Sequence, residues 1–465
     1  MFASRSPLKM HVWKKVSSAS AGRSSSGEVE GPVTGEAGER VVLVGLARSH
    51  AELAQAEISL EELAQLAETA GGEAVARVIQ VRETTEPATY IGKGKALEVI
   101  GQAKTLGADA IIFDDELAPA QGRNLEDLAG VNPLDPNALK IVDRTGLILD
   151  VFAQHAHSAE GKLQVELAQL NYRLPRLRGW GEVMSRLGAG IGTRGPGETK
   201  LEADRRRIRR RLSKLQRDLK DLERTRRLKR GRRSRVGIPQ ISLVGYTNAG
   251  KSTLLNALTG AGVLVEDRLF STLDPTARRL ELPSGEQAVL TDTVGFVNKL
   301  PTQLVEAFRS TLEETVEADL LLHVVDGSRP DPRVQVEAVE RVLTEIGAHH
   351  LPTVLALNKR DRISDEVAER LTKIFPEGVL ISALGGEGLE GLLEMVGRSL
   401  RSVRTVATFE VPYERGDVRS LLHEEGEVLK ESYLPGGSRL QVRISPALAG
   451  RFGDYLVPGE EALEG

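Results

Sequence analysis

The eight residues Gly245-Tyr246-Thr247-Asn248-Ala249-Gly250-Lys251-Ser252 fit G-x-x-x-x-G-K-[ST], with the apolar run Ile241 to Val244 before them and the helix-like run Thr253 to Leu258 after. Strand, glycine loop and helix in that order are what a phosphate-binding P-loop needs. The glycines let backbone N–H groups converge on phosphate oxygens without a Cβ in the way. The following helix points its free N–H groups and positive dipole end at the same anion. Lys251 is expected to neutralise the β- and γ-phosphates, and Ser252 to ligate Mg²⁺ through its hydroxyl. An ordinary glycine turn in a βα unit is the competing reading, which the residues downstream must decide.

Asp292-Thr293-Val294-Gly295 follows the strand-like Ala288 to Leu290. An acid there can reach Mg²⁺ through water, and the Gly295 N–H can sense the γ-phosphate. Apolar strands at Leu320 to Val325 and Thr353 to Leu357 come next, the second ending in Asn358-Lys359-Arg360-Asp361, an N-K-x-D motif. A carboxylate at Asp361 accepts hydrogen bonds from guanine N1–H and its exocyclic amine, whereas adenine offers an acceptor and no amine. GTP and GDP are thus expected, and ATP is disfavoured. A strand at Val379 to Ile381 delivers Ser382-Ala383-Leu384, whose backbone can contact guanine O6. The order matches a Ras-like domain in which each motif follows a strand and converges on the carboxyl edge of the sheet.

The first switch must lie within Phe270-Ser271-Thr272-Leu273-Asp274-Pro275-Thr276. Thr272 is assigned as the threonine that closes on Mg²⁺ and the γ-phosphate, with Thr276 the runner-up. Lys251, Thr272 and Gly295 are therefore the candidate catalytic groups, and Ser252 and Thr272 the candidate metal ligands. The position after Asp-Thr-x-Gly, where many such enzymes carry a water-orienting glutamine, holds Phe296. Intrinsic hydrolysis is expected to be slow and completed by another group or a partner. Gln303 is a candidate, set against a plain solvent-facing glutamine.

Composition bounds the rest. A chain of 465 residues with 40% apolar content is long enough for about three domains. The absence of cysteine excludes disulfides and thiolate metal sites. No apolar run approaches the roughly 18 residues of a membrane span, and a cytoplasmic monomer is expected. The net charge of −4 hides an asymmetry: Lys200 to Arg235 holds 18 Lys and Arg against 5 Asp and Glu, a local +13, so the remainder sums to −17. A basic block in an acidic chain suits a segment that meets a polyanion, against the alternative of a solvated helix without a partner.

Residues 1–39, rich in Ser, Gly and Glu, are expected to be disordered. Residues 40–157 read as an α/β domain with a largely parallel sheet. Strands are expected at Val41 to Leu46, Ala74 to Val81 and Ala110 to Phe113. Helices are expected around Leu60, Leu63 and Leu66, at Lys95 to Leu106 and near Gln121 to Leu128. Thr89 to Lys95 is a glycine and lysine loop that suits either a phosphate or an ordinary turn. Asp143 to Phe152 reads as strand-like, and Glu160 to Leu174 as a helix with Leu163, Leu167 and Leu170 on one face. The glycines of Gly188 to Lys200 predict a mobile loop. Leu201 to about Arg227 is a long Arg-rich helix with a narrow stripe of Ile208, Leu212, Leu215, Leu219 and Leu222, suited to antiparallel packing on the preceding helix. A linker follows at Gly231 to Arg235. Its arginines suit an RNA backbone, because guanidinium pairs bidentately with phosphate.

Phe-Ser-Thr-Leu-Asp-Pro-Thr and Asp-Thr-Val-Gly-Phe in the nucleotide domain, preceded by Asp143 to Asp150, Glu160 to Leu170 and Gly195-Pro196-Gly197-Glu198-Thr199, resemble the HflX GTPases over about residues 40–465. The resemblance implies a multi-domain α/β chain. Its parts are an N-terminal α/β domain (40–157), a glycine loop and basic helical linker (158–235), a Ras-like P-loop G domain (236–404) and a small C-terminal α+β domain (405–465). It carries nucleotide contacts onto Gly245 to Ser252, Phe270 to Asp274, Asp292 to Gly295, Asn358 to Asp361 and Ser382 to Leu384, with Mg²⁺ on Ser252 and Thr272. It implies GTP hydrolysis on the large ribosomal subunit or 70S ribosome, engaged through the N-terminal domain and basic linker, with splitting, rescue or recycling as the outcome. The Ser/Gly-rich head and Val131 to Asn137, which looks like a loop insertion, depart from the family pattern without touching a motif. The alternatives are a signalling or ribosome-assembly switch acting on a protein or rRNA partner, and an ATP-driven RNA-remodelling enzyme, for which the N-terminal domain offers no second P-loop.

Overall fold

The computed structural model describes residues 38–132, 135, 137–177, 196–233, 238–260, 269–270, 276–299, 301, 304, 308–403, 405–444 and 446–457. The N-terminal head, most of the glycine-rich loop (residues 178–195), Ser271 to Asp274 and Gln303 lie outside them. The chain divides into two compact units, Met1–Gln216 with Lys299–Ala307, and Arg217–Asn298 with Phe308–Gly465.

The first unit is built on a parallel sheet of order β2-β1-β3-β4, from β1 (Glu39–Ala47), β2 (Gly72–Val81), β3 (Ala110–Phe113) and β4 (Lys140–Asp143). Val41 to Val44 are buried without a break, as a central strand covered on both faces requires. On one face Val42, Val44, Ile111 and Phe113 pack against Val99, Ile100 and Ala103 of α2 (Lys93–Thr105) and Leu125 of α3 (Pro119–Ala129). Helix α1 (Leu53–Thr69) buries Leu60, Leu63 and Leu66 as its spacing predicts. In the Thr89 to Lys95 loop the Gly92 N–H donates to Gln80 Oε1 at 2.8 Å and Lys95 pairs with Glu98.

Asp143 to Phe152, expected to be strand-like, is not a strand. Asp143 ends β4 and caps α4 (Arg144–His155), accepting the Gly146 N–H at 2.8 Å. Every residue from Arg144 to Phe152 is buried, and a helical stretch buried on all sides need show no 3.6-residue apolar period. In α5 (Ala159–Arg176) the buried stripe is Gly161, Gln164, Val165, Leu167 and Ala168, so Leu163 and Leu170 flank it as half-buried residues. Pro196 to Lys200, placed in the mobile loop by the glycine count, opens a 38-residue helix, α6 (Pro196–Arg233). Proline suits the first turn, where its missing N–H has no helical partner. The expected linker at Gly231 is helical as far as Arg233 for the same element. Leu215 of its stripe is fully buried, and Arg211 pairs with Glu166 of α5.

The second unit holds a six-stranded sheet of order β10-β9-β8-β5-β7-β6. Its strands are β5 (Gln240–Gly245), β6 (Thr276–Glu281), β7 (Gln287–Asp292), β8 (Leu320–Asp326), β9 (Thr353–Asn358) and β10 (Val379–Leu380). All pairs are parallel except β6 with β7. The carboxyl ends of β5, β7 and β9 carry the three central nucleotide motifs. Residues from 405 onward form an antiparallel sheet of β11 (Thr405–Pro412), β12 (Glu427–Leu434) and β13 (Gly437–Ile444) in the order β11-β13-β12, with a helix at Gly416–Glu425 over a core of Phe409, Leu422, Leu440, Val442 and Phe452. Among the described residues no helix is long and apolar enough to cross a membrane.

Among the buried ionisable residues is a histidine in the centre of the sheet. His323, in register with Val244 and Leu355, is buried, and burial, with Lys251 adding repulsion, lowers its pKa to about 4. The folded state keeps the ring neutral, while the unfolded chain takes up its proton below about pH 6.5. This contribution is full above pH 6.5 and is lost as pH falls towards 4, amounting to about 3 kcal/mol. Urea denaturation at pH 7 and pH 4.5 should show a steeper acid loss in the wild type than in His323→Leu. Equal losses would contradict it.

Candidate functional site

The phosphate loop leaves β5 at Gly245 and re-enters regular structure at α7 (Lys251–Thr259). The Lys251 ammonium donates to the Gly245 and Tyr246 carbonyls at 3.2 and 3.0 Å, which pins it over the loop. Burial lowers its pKa to about 8, and the charge of Asp292 opposes that shift. Ser252 Oγ donates to Asp292 Oδ2 at 2.6 Å, bringing together a hydroxyl and a carboxylate from two motifs 40 residues apart. Such hard oxygen donors at the end of a phosphate loop fit Mg²⁺. Thr293 is turned away from them, its hydroxyl donating to the Leu243 carbonyl at 2.6 Å. The Thr247 hydroxyl is buried beside the loop with no hydrogen-bond partner among the described residues, as a polar group awaiting an anion would be.

On the base side, Asn358 uses both ends of its carboxamide. Nδ2 donates to the Ala249 carbonyl at 2.8 Å and Oδ1 accepts the Ala383 N–H at 2.9 Å, which links three motifs through one side chain. Gly250, at φ +96°, is the neighbour this requires, because a Cβ there would lie 2.3 Å from Asn358 Nδ2. Asp361 is exposed, and the Ser382 hydroxyl donates to its Oδ1 at 2.6 Å while accepting the Gly385 N–H at 2.9 Å. The Asp361 carboxylate, the candidate base reader, is thus oriented by the Ser382-Ala383-Leu384 loop, of which Leu384 is exposed. Lys359 pairs with Asp326 at 2.8 Å. Asp326 did not emerge from the sequence; its position at the end of β8 on the same sheet edge was the available signal. The Arg360 N–H donates to the Ile381 carbonyl at 3.0 Å, fixing the turn between Lys359 and Asp361.

The second switch lies against the phosphate loop. Phe296 forms a parallel bridge with Tyr246: the Thr247 N–H donates to the Phe296 carbonyl at 2.7 Å and the Phe296 N–H to the Gly245 carbonyl at 3.1 Å. The ring is buried. Val294 is buried beside it, and a Cβ on Gly295 would sit 2.8 Å from Thr247 Cγ2 and 3.0 Å from Lys251 Nζ. Of the first switch, Phe270 is described, buried with φ +59°, while Ser271, Thr272, Leu273 and Asp274 lie outside the described residues. Thr276 opens β6 opposite Asp292. Asn248, at φ +59°, turns the loop between Thr247 and Ala249.

Two measurements follow from this geometry. Unliganded Lys251 loses its proton near pH 8, whereas a phosphate beside it holds the proton on, so nucleotide affinity is full below pH 8 and falls above it, by up to about tenfold per pH unit. Titration with fluorescent GDP at pH 7, 8 and 9 should show this fall in the wild type and a flat, weaker profile in Lys251→Met. Asp361→Asn should move preference from GTP to xanthosine nucleotides, which carry a carbonyl where guanine has its amine. Undiminished GTP affinity would remove Asp361 from base reading.

Residues 57–153 match the family described as GTP-binding GTPase N-terminal, residues 155–233 the GTP-binding GTPase middle region and residues 240–359 the 50S ribosome-binding GTPase family. GTPase HflX of Caldanaerobacter subterraneus subsp. tengcongensis is 48% identical over 423 residues, covering 90% of this chain and 94% of its own length. GTPase HflX of Escherichia coli (strain K12) is 43% identical over 415 residues, covering 88% and 94%. A GTP-binding protein of the hyperthermophilic archaeon Sulfolobus solfataricus, solved in complex with GDP, is 26% identical and covers 78% of this chain and 99% of its own, with a TM-score of 0.40. With identity this high along nearly the whole length, and a phosphate loop joined through Asn358 to the loop that orients the N-K-x-D carboxylate, the chain is a GTP hydrolase and belongs to the HflX family of GTPases.

Proposed function

We propose that this GTPase binds the large ribosomal subunit or the 70S ribosome and couples GTP binding and hydrolysis to splitting, rescue or recycling of ribosomes. The observation that carries the reading is α6, whose Arg206, Arg207, Arg209 and Arg210 are exposed within a block of charge +13. A folded rod of guanidinium groups is a reader of nucleic-acid backbone: it pairs with phosphates, displaces counterions and carries no base preference of its own. The match of residues 240–359 to 50S ribosome-binding GTPases supports the same partner.

In this reading Ser252 and Thr272 hold Mg²⁺, with Asp292 orienting Ser252 from behind. Mg²⁺ held there would supply charge neutralisation at the β- and γ-phosphates. Lys251 and the Gly295 N–H meet the γ-phosphate, and Asp361 selects guanine. Phe296 cannot orient water, so the hydrolytic geometry is completed on the ribosome, which makes the ribosome both partner and activator.

Co-sedimentation with ribosomal subunits and 70S particles in a GTP analogue, in GDP and without nucleotide should show binding strongest with the analogue, and ribosomes should raise the GTPase rate. Gradient sedimentation of 70S particles then tests splitting. Replacing Arg206, Arg207, Arg209 and Arg210 by alanine should weaken binding at every nucleotide state and lower the log–log salt slope by about one for each phosphate no longer neutralised. Arg211 is left intact because it holds Glu166. Binding and salt slope both unchanged would remove α6 from the interface.

A further inference from the structure

Thr247 stands third in the phosphate loop and carries two hydrogen-bond donors. Its N–H is taken by the Phe296 carbonyl at 2.7 Å, which leaves the hydroxyl. That hydroxyl is buried, in a residue only 4% exposed, and has no hydrogen-bond partner among the described residues. Buried polar atoms are met by a partner in the great majority of cases, so an orphan at the edge of a ligand site points to the ligand.

The packing of the loop does not call for a hydroxyl. Thr247 Cγ2 is the group that meets Gly295, and a valine would supply the same methyl on the same branched Cβ without leaving a buried oxygen unpaired. Nor does enclosure set Thr247 apart from the phosphate-side groups. Lys251 and Ser252, which the loop pattern turns towards phosphate and Mg²⁺, are buried to a similar degree.

Position selects which phosphate the hydroxyl meets. In a P-loop the backbone N–H groups cradle the α- and β-phosphates, the lysine reaches the β- and γ-phosphates, and the second switch is ordered by the γ-phosphate. Thr247 belongs to the half of the loop that leaves β5, four residues before α7 begins. It adjoins both markers of the γ-phosphate: a point one bond from the Gly295 Cα lies 2.8 Å from Thr247 Cγ2 and 3.0 Å from Lys251 Nζ. All three residues belong to the second compact unit.

We propose that the Thr247 hydroxyl donates a hydrogen bond to a γ-phosphate oxygen and so makes this loop favour GTP over GDP. The proposal deepens the nucleotide reading of this site and rests on it. GDP ends at the β-phosphate and leaves the hydroxyl unmet. GTP supplies an ionised acceptor, to which a hydrogen bond is about twice as strong as to a neutral one.

Affinities of full-length protein for fluorescent GDP and for a non-hydrolysable fluorescent GTP analogue test it. Thr247→Val keeps the branched shape and removes the hydroxyl; analogue affinity should fall about tenfold, with GDP affinity unchanged. Unchanged GDP affinity also shows that the variant folds. Thr247→Ala, which removes hydroxyl and methyl together, should lose as much, whereas Thr247→Ser keeps the hydroxyl and should hold the wild-type ratio. A ratio unchanged in both Thr247→Val and Thr247→Ala, an equal loss for both nucleotides, or a loss in Thr247→Ser as large as in Thr247→Val would overturn the proposal. Failure of the wild type to bind GDP would instead sink the nucleotide reading beneath it.

Discussion

The nucleotide site depends on one buried carboxamide. Asn358 donates to the phosphate loop at Ala249 and accepts from the base loop at Ala383, so the two halves of the site cannot be positioned independently. Both hydrogen bonds are made away from water, where an unmet amide group costs about 1–3 kcal/mol. Gly250 is the counterpart of that economy, since the loop must pass within a Cβ radius of the amide nitrogen. From Ala383 the order spreads through Ser382 to Asp361, which is how an exposed carboxylate is aimed without being buried. The base side of the site is thus oriented before a ligand arrives, which is what electrostatic preorganisation requires.

Two buried cations show how context decides what a charge does. Arg144 in the first unit is completely enclosed, yet Asp114 and Glu62 pair with it and its pKa rises. Lys251 is equally enclosed, but its hydrogen bonds go to carbonyl oxygens, and its pKa falls to about 8. The first is a finished ion pair that fixes the carboxyl edge of a sheet. The second is an unfinished one whose anion is the ligand. His323, neutral beneath Lys251, fits the same scheme, because a second charge in that layer would repel the lysine before the phosphate arrived.

Most of the candidate site was legible in the sequence because its motifs are short backbone constraints: glycines, an Asp after a strand, N-K-x-D after another. What escaped was fixed by partners distant in the chain or by elements with little periodicity. Helix α4 carried no stripe because it is buried all round, and its cap, Asp143, is also bound by Tyr172 and Arg176 from α5, which sequence order does not reveal. Strand β4 is four residues long, and β6 exposes Arg278 and Arg279, so neither shows the alternation by which a strand is recognised. Asp326 was passed over because its role exists only through Lys359, 33 residues away.

Phe296 is more than a missing glutamine. A glutamine there would have to leave its side chain free to hold water, whereas the phenylalanine is buried and its N–H and C=O are both spent on the phosphate loop. Burying an aromatic ring stabilises by about 2–3 kcal/mol, and the two backbone bonds add to that, so the closed arrangement has a real free-energy advantage to be overcome. A side chain that merely failed to catalyse would slow hydrolysis at any switch position. One whose backbone also pairs with the phosphate loop ties the second switch to that loop. In the proposed reading, hydrolysis is then completed by a group from outside the chain. The absence of a water-orienting side chain and the pairing of the switch with the phosphate loop thus meet at one residue.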